Sequence, residues 1–167
     1  MQTSPFDTPR VSAHHLQDIY TCSGNYRTGP VTIEGTGHQP PPAGDVSKHV
    51  EDLCDYVNDN WGESAIHLAA YVMWRVNWVH PFMGGNGRTS RAASYLVMCA
   101  RLGQKPPGGL TIAEQIVASR FPYYDALDAA DKAWGEGRVD VAEMEGLLSG
   151  MLATQLLSLH KAALAKG

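Results

Sequence analysis

Cysteine is scarce in this chain. Three stand in 167 residues, at Cys22, Cys54 and Cys99. The number is odd and no C-x-x-C pair occurs. Reduced thiols are therefore expected, two of them on helix-core faces, rather than a disulfide framework. An excess of positive charge is also lacking: 13 Lys and Arg against 17 Asp and Glu leave a net charge of −4. That balance, with a pI near 5.9, argues against broad non-specific binding of nucleic acid but leaves room for a local basic cluster on phosphate. No apolar run nears the roughly 18 residues that suggest a membrane span. The first residues carry no basic n-region and no apolar h-region, so export by a Sec signal is not expected. Repeats and low-complexity stretches are absent too. The expectation is a cytoplasmic protein with no membrane and no nucleic-acid partner.

What is present fits one domain over residues 1–167, with 44% hydrophobic and 18% charged residues. A short helix is expected over 11–22, with Ser12 as its N-cap. Glycines punctuate 24–37, and Val31, Thr32 and Ile33 form a β-branched run inside it. That pattern predicts a small hairpin turning near Gly29 and Pro30. Three prolines at 40–42 make a stiff connector. The rest has helical periodicity. Asp45 is placed to cap a helix reaching 58, and a second helix over 64–79 is apolar on most of its surface, so it should be central. Further helices are expected over 88–102, with Gly103 as the residue after its end, and over 111–119, 123–134 and 141–159. The fold class is all-α with one small β-hairpin.

The twelve residues from His80 to Arg91 read H-P-F-M-G-G-N-G-R-T-S-R. A helix N-terminus offers free backbone N–H groups and a favourable dipole to an anion. Gly85 and Gly87 allow close backbone approach and positive φ, and Asn86 between them can fix the loop. Arg88 and Arg91 are three apart, so they leave the same side of the first helical turn. Their guanidinium forks match phosphate oxygens. His80 arrives from the end of the central helix with a pKa class suited to taking a proton near neutrality. Alone, each feature has a bland reading: a structural histidine, an ordinary turn, a solvated helix face. Together they point to a phosphate chain held beside a general base.

This segment resembles the signature of the Fic-domain family, H-P-F-x-(D/E)-G-N-G-R-x-x-R. It matches at His80, Pro81, Phe82, Gly85, Asn86, Gly87, Arg88 and Arg91. Residues 24–27 (G-N-Y-R) and 31–35 (V-T-I-E-G) are similar to the family's flap. Leu68, Ala69, Ala70 and Arg75 sit where its central helix has similar residues. The elements around Thr111 and Tyr123 to Leu127 resemble the region after its core. The likeness covers roughly residues 11–160. It implies transfer of AMP from ATP to a Ser, Thr or Tyr hydroxyl of a target protein. By position, His80 is then the general base. Gly85, Asn86 and Gly87 cradle the α- and β-phosphates, Arg88 holds the β-phosphate and Arg91 the γ-phosphate. The flap holds the target by strand addition. Tyr123 and Tyr124 are read as packing aromatics, with base contact the alternative.

The chain departs from the signature at Gly84, where the family carries the Asp or Glu that anchors Mg²⁺. No metal-binding residue is therefore expected in the motif, although Mg²⁺ on ATP itself is. Three outcomes stay open: transfer with a weakly held metal, a different phosphate-containing donor, or a nucleotide-binding regulatory domain with little turnover. The kinase-like Doc toxins tend to carry Lys where Gly87 stands, which counts against that branch. The family's inhibitory helix motif, (S/T)-x-x-x-E-(G/N), has no clean match, since Glu145 and Gly146 follow Val141. Inhibition is then either missing or supplied by a separate small partner, as in toxin–antitoxin pairs. The apolar stripe over 147–159 is either core or a homodimer seam. The remaining histidines show no metal-ligand spacing.

Overall fold

The computed structural model describes residues 25–33 and 35–164, with side-chain surroundings as far as residue 158. A 3₁₀ turn at Ala43–Asp45 leads into six α-helices: α1 Val46–Asp59, α2 Ala65–Val79, α3 Asn86–Leu102, α4 Ile112–Ala118, α5 Phe121–Gly135 and α6 Ala142–Leu164. The expected helix over 11–22 and Cys22 lie outside the described residues.

The central position of α2 follows from its sequence. Leu68, Ala69, Ala70, Tyr71, Val72, Met73, Trp74, Arg75, Val76 and Val79 are all buried, so little of its surface is left for water. It packs most extensively on α3 and also meets α1, α5 and α6. Small residues line this pair: Ala69, Ala70 and Ala93 belong to one core, and the Ser94 hydroxyl donates to the Ala69 carbonyl at 2.8 Å. α1 turns one stripe inward, Val46, Val50, Leu53, Cys54 and Val57. The first half of α6 is core through Met144 and Leu148, whereas Leu156 and Leu157 are exposed. Cys54 is buried and Cys99 half-buried, both free thiols.

Caps set the boundaries. The Ser64 hydroxyl accepts from the His67 N–H at 3.0 Å, Thr111 and Glu114 form a capping box, and Gly103 ends α3 at φ 70°. Asp45 does not cap α1. Its backbone is already helical and its side chain makes no cap bond, because the preceding 3₁₀ turn, closed by Asp45 N–H to the Pro42 carbonyl at 3.0 Å, moves the extended position back to Pro42. α3 starts at Asn86, two residues before the expected 88, because Gly85 takes φ 83° and becomes the N-cap.

The β-hairpin expected over 24–37 is not present among the described residues, where 25–33 and 35–37 are irregular. The β-branched run signals a strand, but the surroundings override it. Arg27 is buried, and its backbone N–H goes to the Pro81 carbonyl at 2.8 Å, which removes it from any ladder. Pro30 has no N–H to offer one.

Trp74 and Trp78 of α2 pack against Trp134 of α5. They also enclose Arg75, whose guanidinium carbon lies 4.1 Å from the Trp78 ring centroid and 4.3 Å from that of Trp134. This is stacking by a planar cation that a Lys could not reproduce.

Candidate active site

His80 stands at the C-cap of α2 in the left-handed region, φ 49° and ψ 58°. For a residue with a Cβ that conformation costs about 1–2 kcal/mol, so the surroundings must hold it. The His80 N–H donates to the Val76 carbonyl at 3.0 Å. On its other side Arg27 donates from Nε to the His80 carbonyl at 2.9 Å. The ring is oriented by a bond of 3.2 Å between Nδ1 and the Asn77 carbonyl. A carbonyl only accepts, so Nδ1 carries the hydrogen and Nε2 keeps its lone pair. Burial disfavours the charged ring. The Asn77 bond works against that, and the nearby charges of His38 and Arg27 add to it, so the pKa lies below the ordinary value. His80 is thus built to be neutral, with one nitrogen ready to take a proton.

The loop after His80 is closed by one side chain. Asn86 is buried, its Oδ1 accepts from the Phe82 N–H at 2.9 Å, and its Nδ2 donates to the Phe82 carbonyl at 2.8 Å. The Arg88 and Thr89 N–H groups turn back to the Gly85 carbonyl at 2.9 and 3.0 Å. The N–H groups ahead of them, at Asn86 and Gly87, therefore have no helical acceptor. Both arginines fold back over the glycines. A Cβ placed on Gly85 would lie 3.3 Å from Arg88 Nη2, and one on Gly87 would lie 3.4 Å from Arg91 Nη1. Neither arginine has a carboxylate partner among the ion pairs of the described residues. Two uncompensated guanidinium groups thus converge on a helix N-terminus, an arrangement that attracts a polyanion.

These groups line a cavity of about 540 Å³, within the usual range for a small-molecule site. His80, Gly85, Asn86, Gly87, Arg88 and Arg91 all line it, so every residue expected at the site is brought to one place. Flap residues Ile33, Gly35 and Thr36 form one wall, and Tyr124, Leu127 and Asp128 of α5 form another. Tyr123 is buried, and its hydroxyl accepts from Asn77 Nδ2 at 2.7 Å and meets the Ser90 hydroxyl at 3.3 Å. It ties α2, α3 and α5 together, as a packing aromatic, and it also lines the cavity. Tyr124 departs from that reading: it is 46% exposed and sits at the rim.

Three residues of the site carry no signal in the chain. Arg27 resembles part of the flap, yet it works on α2. Asn77 is a polar residue within the largely apolar helix expected over 64–79. His38 is one of the histidines without metal-ligand spacing, but it lines the cavity. For Arg27 and His38 only proximity across 53 and 40 positions shows the role, whereas Asn77 holds the His80 ring from three residues away.

Gly84 is exposed, and the loop offers Mg²⁺ no carboxylate. Among the described residues no group of three or more His, Cys, Asp or Glu is gathered to hold a metal. The motif therefore does not fit a protein-anchored Mg²⁺ ion. Glu145 lies in α6, where its Oε1 accepts from His67 Nδ1 at 2.8 Å. It is not among the cavity's lining residues and does not meet Arg91.

Fold and loop together define a class: helical domains in which an H-P-F-x-x-G-N-G-R-x-x-R loop joins the two most extensively packed helices. A family model described as the Fic/DOC family matches residues 7–98. The chain belongs to the Fic/DOC family. It is 31% identical over 111 residues to "Protein adenylyltransferase Fic" of Drosophila willistoni, which covers 65% of this chain and 20% of that protein. The identically named protein of Aedes aegypti has the same identity and coverage. The chain spans about a fifth of the length of these relatives. Its fold is shared with Fic-1 (aa134 - 508) from C. elegans, at a TM-score of 0.73 and 21% identity over 95% of this chain and 46% of that one. It is also shared with a Fic family protein from Desulfovibrio desulfuricans G20, at 0.65 and 20% over 90% and 51%. Among the described residues no helix is long and apolar enough to cross a membrane.

Proposed function

We propose that this protein transfers AMP from ATP to a Ser, Thr or Tyr hydroxyl of a target protein. The observation that carries this reading is the meeting of a neutral His80 with a bare Nε2, a glycine loop with unused N–H groups, and two unpaired arginines in one cavity. The relatives named protein adenylyltransferase support it at the level of the family. In this reading His80 Nε2 takes the proton of the target hydroxyl, and the oxygen attacks the α-phosphorus. The bond to the bridging oxygen breaks and pyrophosphate leaves with its charge. Arg88 and Arg91 hold the phosphates that depart, so their attraction grows as negative charge moves there. The loop backbone at Gly85, Asn86 and Gly87 cradles the α- and β-phosphates and sets the α-phosphorus before the hydroxyl, and this positioning supplies the rest of the gain. An extended target segment would pair with flap residues 31–33 at the cavity's edge. Mg²⁺ would arrive on ATP, held by phosphate oxygens and water rather than by this loop.

A second reading is favoured by Gly84: a nucleotide-binding regulatory domain with little turnover, or an enzyme using another phosphate-containing donor. Incubation with α-³²P-labelled ATP, UTP, GTP and CTP in lysate with Mg²⁺, beside a His80→Ala control, separates the readings. Label from ATP on protein that disappears in the control supports adenylyl transfer. Label from another nucleotide changes the donor. Binding of ATP with no label from any nucleotide supports the regulatory reading. A small inhibitory partner, a homodimer and a cytoplasmic setting remain proposals that co-purification and sedimentation would test.

A further inference from the structure

We propose that His38 is a positioning residue that latches the far end of the flap onto α2 and α5, and that the latch is closed by a proton. His38 immediately follows the flap, and its N–H donates to the Thr36 hydroxyl at 3.0 Å. Its ring is held from both sides. Nε2 lies 2.8 Å from the Trp78 carbonyl, and Nδ1 lies 3.1 Å from Asp131 Oδ2. The second carboxylate oxygen, Oδ1, accepts from Trp74 Nε1 at 2.7 Å, which fixes Asp131 toward the ring.

A neutral imidazole has one N–H and one lone pair. A carbonyl and a carboxylate are both acceptors, so the neutral ring must turn a lone pair on one of them. Only the imidazolium donates to both. Burial disfavours that charge, but hydrogen bonds to Asp131 and to the Trp78 carbonyl, with the charges of Asp131 and Asp128, outweigh it and raise the pKa above the ordinary value. The other titratable or charged groups around the latch are His80, beyond the same carbonyl end of α2, and His49 and Arg75, packed on the Trp78 ring.

The two flap ends are thus tied to the same helix terminus by different cations. Arg27 takes the His80 carbonyl at 2.9 Å and the Val79 carbonyl at 3.4 Å, and His38 takes that of Trp78. All three belong to the last carbonyls of α2, which have no helical donor and carry the negative end of the dipole. One tie is permanent and the other titrates. Because the bound ring has the raised pKa, the latch is at full strength below the free-histidine value and is lost as pH rises through the raised one. Between the ties lie Ile33, Gly35 and Thr36, which wall the cavity. Opening the latch loosens that wall while the nucleotide loop keeps its own bonds. On the proposed transfer function, KM for the target then rises with pH while nucleotide affinity does not.

The test needs no activity, so it can fail separately from the transfer reading. Full-chain protein labelled with ¹⁵N and ¹³C is titrated without nucleotide or target. The ring signals of His38 and the amides of Ile33, Gly35 and Thr36 are followed together. The expected result is one shared midpoint. Asp131→Asn lowers it, and His38→Gln removes the pH dependence from the flap amides. Flap amides that stay still while the His38 ring titrates would overturn the latch. So would a midpoint that Asp131→Asn leaves in place. Should the Gln variant fail to fold, the wild-type titration and Asp131→Asn, whose remaining oxygen can still accept from Trp74, decide alone.

Discussion

The Arg27 guanidinium donates from Nε to the carbonyl of His80 at 2.9 Å. The same fork reaches the Gly29 carbonyl at 3.1 Å and the Pro41 carbonyl. No carboxylate takes part in these bonds. A buried cation is instead surrounded by the carbonyl ends of three segments: the flap, the proline connector and the terminus of α2. His80 is strained at φ 49°, and this hub clamps the peptide unit that carries the strain.

On the proposed transfer function, removing the hub should therefore loosen catalysis and fold together. Arg27→Ala leaves several carbonyls unpaired and should cost about 2–4 kcal/mol of stability. Arg27→Lys keeps the charge but not the planar fork, and should cost less stability while lowering kcat more than it raises KM for nucleotide. Urea denaturation with transfer kinetics checks both. Wild-type stability and turnover in the Lys variant would mean that the hub does not position His80.

On the proposed transfer function, the pH dependence of activity follows from the His80 ring. The base must be neutral, and its pKa is held below the ordinary value of 6.5, first by burial. Activity should thus persist as pH falls through the usual histidine range and drop only below it. His80→Ala should remove activity at every pH. A pH–rate profile of kcat/KM reports the ionisation of the free enzyme. An acid limb centred at or above the ordinary value would contradict the assignment of a buried, neutral base.

How much of this was readable in the chain depends on range. The helices come from periodic apolar stripes, and α2 is plainly central because it is apolar on most of its surface. The loop is legible because one local segment holds His80, Gly85, Asn86, Gly87, Arg88 and Arg91. The flap misleads: Val31, Thr32 and Ile33 have strand propensity, but Arg27 commits the backbone to α2. The bonds from Arg27 to His80 and from His38 to Trp78 span 53 and 40 positions. No pattern in one sequence announces such distant pairs. The start of α3 slips by two residues because the positive φ of Gly85 is a backbone choice set by the Asn86 clasp.

That clasp makes its own prediction. Asn86 both accepts from and donates to the Phe82 peptide. Asn86→Asp keeps the acceptor but sets a second acceptor against the Phe82 carbonyl. It should cost about 1–3 kcal/mol and move the loop, lowering nucleotide affinity. Asn86→Ala removes both bonds and leaves the buried Phe82 groups unsatisfied, with a similar cost. Denaturation and calorimetric titration with ATP measure the two effects. An Asp variant that binds ATP like the wild type would show that the clasp does not shape the phosphate site.

Gly84 offers the most direct gain of function. Its backbone is not in the left-handed region, and a Cβ built there meets nothing within 4 Å. A larger side chain can therefore be added without strain or displacement. Gly84→Asp and Gly84→Glu place a carboxylate at the exposed mouth of the loop, the ligand type Mg²⁺ prefers. The carboxylate would turn a metal carried only by the nucleotide into one held also by the protein. On the proposed function, transfer should rise by about tenfold or more in kcat/KM, which corresponds to about 1.4 kcal/mol of added transition-state stabilisation. The Mg²⁺ concentration giving half-maximal rate should fall at the same time, while Gly84→Ala should change neither. The comparison is a Mg²⁺ titration of transfer by the four proteins. If Asp and Glu behave like Ala, the missing carboxylate is not what limits this site, and the search for the donor should move from ATP to other phosphate compounds.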